Sequence, residues 1–459
     1  MAVTETDRQP RVRPGLVLGV MCAGMFLVLL DVTIVNVALP SIAHGLHAGV
    51  ASLQFVVDGY AVAIASLLLA AGSIGDRYGH RRVLIVGFAV FGLASLGCAI
   101  APGTAALIAA RVVQGAGGAL LLPSTMAVIA EVFPDREQQA RALGTWAAAS
   151  SLALPAGPLL GGLLVGTSSW RLVFWINVPL VALTLAAAMR VVPRSAGRVG
   201  GRLDVKGLAG MVVGLASLVV TVISIGRRAA AIDSVVAASV TVAALAWAVR
   251  AERRAEQPIL PLDLLRRPGF VSPNAVALTM NLVFNGLLFV VMLYLQDVRG
   301  FSPIRSGLLV LPLAVPLIAL APVSGRLTAR RGPRTAISLG CLIAAPGGLF
   351  LLGLRPGSGT AWLLVGFTVL GCGAGLVTAS VVAAAVRATP ADRSGLATGV
   401  SNTARQIGTA TGVALFGAVA GSPDHARRFV DAVHLLAVLG TVLWTIAFVV
   451  ALRGVRSAD

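Results

Sequence analysis

The chain has 459 residues, of which 57% are hydrophobic and 12% charged, with a mean hydropathy of +0.91. Soluble domains carry about a quarter charged residues, so a soluble fold is excluded and a polytopic membrane protein is expected. The net charge of +18 could suggest a nucleic-acid partner, but most basic residues fall in alternate connections between apolar runs. That is the positive-inside pattern, and it implies contact with anionic lipid instead.

A hydrocarbon core of roughly 30 Å takes about 20 apolar residues per helix, since a helix satisfies its own backbone polar groups. Residues 1–13 are polar and basic, and the first apolar run is too long for a cleaved signal core; it reads as an uncleaved first helix near 15–40. Further spans are predicted near 50–74, 82–102, 105–131, 142–165, 170–192, 204–226 and 231–250. The remainder lie near 270–295, 303–324, 334–354, 359–385, 394–420 and 433–453, fourteen in all. Charge alternation places both termini in the cytoplasm. Cys22, Cys98, Cys341 and Cys372 lie within spans without metal-ligand spacing, and no cofactor or metal is expected.

Four ionisable residues interrupt the apolar runs: Asp31, Asp58, Arg111 and Arg405. A charge near the midplane costs on the order of 3 kcal/mol, so such residues mark function or a specific pair. At 1.5 Å per residue, Asp31, Asp58 and Arg111 lie about 14, 12 and 10 Å from the outer ends of their helices. They are expected to meet in the outer half of the N-terminal bundle, either as a structural pair that fixes helix packing or as a proton-exchange site. Asn36 on the first helix is a candidate cavity contact. In the C-terminal half, Asn274, Asn281 and Asn285 share a face of the ninth helix, and Asn402, Arg405, Gln406 and Thr409 share a face of the thirteenth. Both stripes are expected to face protein or an aqueous cavity.

The chain also repeats itself. "GSIGDRYGHR" (Gly72 to Arg81) aligns with "GRLTARRGPR" (Gly325 to Arg334) at an offset of 253, and "GAGGALLLPS" from Gly115 with "GCGAGLVTAS" from Gly371 at 256. Six spans therefore repeat as six: an N-terminal bundle in 1–192, a linker with two inserted helices in 193–269, and a C-terminal bundle in 270–459. In the first copy, Gly72 and Gly79 allow a tight turn while Asp76, Arg77 and Arg81 can bridge helix ends. Ala329 replaces Asp76 in the second copy, so the expected conformational latch is asymmetric, with its functional weight on the first copy. On the fifth helix Gly157, Pro158, Gly161 and Gly162 form a bendable, closely packed seam.

These segments carry a resemblance. "GSIGDRYGHRRVL" resembles the loop between helices 2 and 3 of the major facilitator superfamily, "RVVQGAGGALLLPS" its helix 4 motif, and "PAGPLLGGLL" the Gly-Pro motif of its antiporters. "LDVTIVNVALP", "WRLVFWINVP", "YLQDVRGFSPIRSGLLVLP" and "SNTARQIG" resemble its fourteen-span drug/proton antiporter branch. The resemblance implies an all-helical fold of two six-helix bundles plus two inserted helices, in a bacterial cytoplasmic membrane. It implies export of small amphipathic drugs or antibiotics in exchange for protons by alternating access. Arg111 would then tune and relay the proton, and Gln114 on the same motif is a candidate substrate-cavity contact. A functional monomer is expected, with a small-molecule substrate and no nucleic acid. No Walker loop is present for ATP, and His44 with His47 do not supply an enzyme's constellation. An importer of a small metabolite with the same fold remains the alternative, ahead of a membrane enzyme or channel.

Overall fold

The computed structural model describes residues 13–194, 205–226, 231–254, 264–355, 357, 359–389 and 394–455. All the regular structure in them is helical. In chain order the helices are α1 (Pro14–Leu46), α2 (Val50–Tyr78), α3 (His80–Ala99), α4 (Thr104–Val132), α5 (Arg136–Ser151), α6 (Ala153–Thr167), α7 (Leu172–Trp175) and α8 (Asn177–Val191). They continue as α9 (Val205–Gly226), α10 (Ala231–Arg254), α11 (Pro268–Leu293), α12 (Pro303–Arg331), α13 (Pro333–Ala344), α14 (Gly347–Phe350), α15 (Ala361–Arg387), α16 (Ser394–Ala420) and α17 (Ala426–Gly454). One wide helical turn, Tyr294–Val298, extends α11.

Among the described residues, eleven helices are long and apolar enough to cross a membrane, which makes this a multi-pass membrane protein. The expectation of fourteen is not met by this measure, for reasons visible in the chain. The region 142–165 breaks at Leu152 into α5, whose mean character is polar, and the short apolar α6. In α16 the apolar run is diluted by Asn402, Arg405 and Gln406. The third case is α9, several of whose side chains lie outside the described residues.

Helix ends follow local chemistry. Proline opens α1, α11, α12 and α13, where a missing N–H costs nothing. Ser302 caps α12 by accepting from the Arg305 N–H at 3.3 Å. The repeated turns have the same backbone: Gly79 has φ 88° and Gly332 φ 81°, conformations an L side chain resists. Each donates its N–H back to the preceding helix, Gly79 to Gly75 O at 2.9 Å and Gly332 to Thr328 O at 3.1 Å.

Helices α1–α8 pack mainly on one another, as do α11–α17. The groups meet along three seams: α6 on α12, α2 on α16, and α1 on α11. The pair α9 and α10 lies against α2 and α16 through α9, and α10 exposes Ile232, Val242 and Trp247, an apolar face suited to lipid. The α6 seam depends on small residues. A Cβ on Gly161 would meet Ile34 O at 3.0 Å, and one on Gly162 would meet Ile304 Cα at 2.7 Å, so α6 is pressed between α1 and α12. Thr33 Oγ1 donates to Ala153 O at 3.0 Å and ties α1 to the start of α6. At the end where α1 and α11 both finish, Gln296 Nε2 donates to Val37 O at 3.0 Å and His44 Nε2 lies 3.4 Å from Asp297 Oδ1. One continuous apolar core crosses the halves at that end, joining Ile34, Val37 and Leu39 to Leu287, Val291 and Leu295.

Close approach makes certain glycines stability determinants. A Cβ on Gly117 in α4 would sit 2.6 Å from the Phe91 backbone nitrogen of α3. Gly117→Ala is expected to cost about 1–3 kcal/mol through overpacking. Gly19→Ala, with nothing within 4 Å of the new Cβ, should stabilise the helix by about 0.5–1 kcal/mol. Thermal unfolding of the two variants in detergent checks the ordering.

Candidate functional site

Two of the three charges expected to cluster in the N-terminal bundle meet. Arg111 Nη1 donates to Asp31 Oδ2, and both side chains are almost fully buried. The other carboxylate oxygen of Asp31 accepts from Gln114 Nε2 at 2.8 Å and from Asn177 Nδ2 at 3.0 Å. Gln114 also donates to Ser95 Oγ at 2.8 Å, while its carbonyl accepts from Arg111 Nη1 at 2.7 Å and from Cys98 Sγ at 3.6 Å. Arg111 Nε donates to Val56 O at 3.0 Å, and its guanidinium carbon lies 4.2 Å from the centre of the Tyr60 ring. Tyr60 in turn donates its hydroxyl proton to Val28 O at 3.0 Å.

Local sequence explains this convergence. Arg111 and Gln114 stand three residues apart and so share a face of α4, and Ser95 and Cys98 do the same on α3. Asn177 is the first residue of α8, directly after the short α7. The ion pair is thus held by groups from α1, α2, α3, α4 and α8. A buried pair of this kind survives only where most of its lone pairs and protons are satisfied; here both oxygens of Asp31 and the Nε and Nη1 of Arg111 have partners. Sequence reading missed Asn177, Ser95 and Tyr60. Asn177 falls within "WRLVFWINVP", where a lone amide in an apolar run was the available signal.

Asp58 is placed differently. It is 1% exposed, and neither carboxyl oxygen has a hydrogen-bond partner. Its helix neighbours Val57, Tyr60 and Ala61 line a narrow cavity between the halves, together with Val32, Val35, Arg111, Gln406 and Thr409. The expected trio is therefore a pair plus a separate carboxyl.

Of the cavity candidates, Gln406 lines the space, whereas Gln114 belongs to the ion-pair network. Asn36 is buried, donates to Val32 O on its own helix at 2.8 Å, and leaves its carbonyl oxygen without a partner. The α11 stripe largely bonds to its own backbone: Asn281 to Ala277 O at 2.9 Å and Asn285 to Asn281 O at 3.0 Å. Asn285 also donates to Thr409 Oγ1 at 3.1 Å, joining α11 to α16. Asn402 and Arg405 are half-buried. Around the turn at Gly79, Arg81 in the first turn of α3 donates from Nη2 to Met189 O at 2.6 Å, reaching the end of α8, and Arg77 in the last turn of α2 lies over the Tyr78 ring. The Asp76 side chain lies outside the described residues. Gly72 has room, with only Pro123 Cβ 4.0 Å from an added Cβ.

A helical membrane fold with two packed halves, a narrow cavity between them and charges buried beside it defines a membrane transporter. Residues 21–413 match the Major Facilitator Superfamily, and the chain belongs to it. It is 34% identical over 400 residues to the multidrug resistance protein Stp of Mycobacterium tuberculosis, covering 86% of this chain and 74% of that one. It is 35% identical over 408 residues to the methylenomycin A resistance protein of Streptomyces coelicolor (88% and 85% covered). The tetracenomycin C resistance and export protein of Streptomyces glaucescens is 34% identical over 424 residues (90% and 77%). Among solved structures, the human organic anion transporter MFSD10 (TETRAN) shares the fold with a TM-score of 0.65 at 16% identity, covering 95% of this chain and 99% of that one. A peptide transporter, POT, does so with a TM-score of 0.68 at 17% identity (95% and 94%). The relatives are transport and resistance proteins, and the chain is a transporter and not an enzyme.

The network makes a stability prediction. Asp31→Ala or Arg111→Ala alone strands a buried charge and should cost about 3–5 kcal/mol. Replacing the pair together, Asp31→Asn with Arg111→Gln, should cost clearly less than the sum of the two single losses. A double-mutant cycle by denaturant unfolding in mixed micelles measures the difference.

Proposed function

We propose that the protein exports small amphipathic drugs or antibiotics across a bacterial cytoplasmic membrane by alternating access, exchanging them for protons. Asp58 carries this reading. It is a carboxyl sealed inside a helix with no partner for either oxygen, on the helix whose neighbouring residues line the cavity. An uncompensated charge there costs several kcal/mol, so the site changes its solvation when it gains or loses a proton. Asp31, by contrast, is engaged by three side-chain donors. Proton exchange is therefore assigned to Asp58, and the Asp31–Arg111 network holds the helices around it.

The remaining parts follow the same reading. The N-terminal bundle (1–192), the inserted pair (193–269) and the C-terminal bundle (270–459) make fourteen crossings, with α5 and α6 counted as one broken crossing and α9 and α16 included. With the termini cytoplasmic, the joined ends of α1 and α11 face outward, and the contacts of His44 with Asp297 and of Gln296 with Val37 close that side. Gly157, Pro158, Gly161 and Gly162 form the seam on which the bundles rock. The loop with Gly72, Asp76, Arg77, Gly79 and Arg81 latches one facing state through contacts such as Arg81 to Met189 O. The transporter works as a monomer among anionic lipids. Efflux of this substrate class is supported by the resistance and export functions named for the Mycobacterium and Streptomyces relatives.

Inverted membrane vesicles test the assignment. Addition of an exported dye or antibiotic should discharge an imposed pH gradient with wild-type protein. Asp58→Asn should abolish that discharge while the protein inserts and unfolds as wild type. Normal substrate-driven proton movement in Asp58→Asn would remove Asp58 from the mechanism, and flux only toward the cytoplasmic side would replace export with import.

A further inference from the structure

Two arginines lie deep within described spans, and their surroundings differ. The charge of Arg111 is paired with Asp31, and its Nε and Nη1 donate to Asp31, Gln114 and Val56 O. The side chain of Arg405, on α16, makes no ion pair, hydrogen bond or ring contact among the described residues. It is half-buried, not sealed. Thr409, one turn further on the same face, lines the cavity between the halves, as does the adjacent Gln406. Thr409 donates to the Arg405 carbonyl at 3.1 Å and accepts from Asn285 at 3.1 Å, so this stretch of α16 is anchored by its backbone and hydroxyl while the guanidinium stays uncommitted.

Leaving a permanently charged fork without a counter-ion inside a membrane is costly, and arginine keeps its charge in every environment a protein offers. Its planar fork suits the oxygen pair of a carboxylate or sulfonate. Arg405 stands about 16 Å from the nearer end of α16, so a lipid headgroup at the interface is too far away to serve. The opposite charge is not equally available to a cargo: both oxygens of Asp58 are closed off, and both oxygens of Asp31 are occupied. The partly exposed, unpaired charge one helical turn from the cavity-lining Thr409 is positive.

From this we infer that the transported compounds are amphipathic organic anions, and that Arg405 binds their acidic group while the Gln406 and Thr409 side of the cavity contacts the uncharged remainder. This rests on the export reading above and adds the charge of the substrate. It departs from the lipophilic cations that two membrane carboxylates alone would favour.

Matched xanthene dyes test it: anionic fluorescein and cationic rhodamine 123, bound at equilibrium to the purified full chain in neutral detergent and followed by fluorescence anisotropy. Wild-type protein should bind fluorescein more tightly. Arg405→Gln should weaken fluorescein at least tenfold and leave rhodamine 123 within twofold, and Arg405→Lys should recover part of the loss. Preference for rhodamine 123, binding of neither dye, or fluorescein affinity unchanged in Arg405→Gln would overturn the inference. Equal weakening of both dyes would overturn it too, because it signals a structural role. No pH gradient is present, so the outcome is independent of proton coupling: Arg405-dependent binding without vesicle transport would sink the export reading alone, and transport without Arg405-dependent binding would sink the anion inference alone.

Discussion

The N-terminal half is organised around one ion pair, Asp31 with Arg111, placed where water cannot solvate it. Taking either charge out of water costs several kcal/mol, and their attraction repays this only with complete secondary hydrogen bonding. That condition dictates the neighbourhood. Gln114 must lie one turn from Arg111, Asn177 must stand at the start of α8, Val56 must present a carbonyl, and Tyr60 must offer its ring face. Five helices are registered by satisfying one pair, in a medium where apolar contacts alone discriminate poorly between helix partners.

The second organising constraint is the absence of side chains. Where α6 meets α1 and α12, glycines bring backbone against backbone, and added atoms would collide with Ile34 and Ile304. The ion pair fixes relative positions within one half, whereas the glycine seam joins the halves without interlocking them.

Much of this was legible in the sequence, and the failures have physical causes. Asp31, Arg111 and the repeated Gly79 and Gly332 turns stood out because charge in an apolar run, and glycine at matched offsets, seldom persist without a structural demand. Depth along a helix also brought Asp58 into the same group, and there the expectation failed. Counting residues gives height but not which way a side chain points, and Asp58 sits at the right height without reaching Arg111. Asn177 and Ser95 escaped because neutral polar residues are common in membrane helices and declare themselves only when a charge is found beside them. The count of spans suffered from polar interruptions as well: α16 loses hydropathy through Asn402, Arg405 and Gln406.

The closeness of Asp31 and Arg111 also has an electrical consequence. A voltage acts on a buried charge with about 2.3 kcal/mol per elementary charge per 100 mV, a force large enough to drive a helix that carries one. Opposite charges joined at one depth cancel, so the membrane potential exerts almost no net pull on the N-terminal half through this pair. The scaffold that holds the transport pathway is therefore insulated from voltage by its own central interaction.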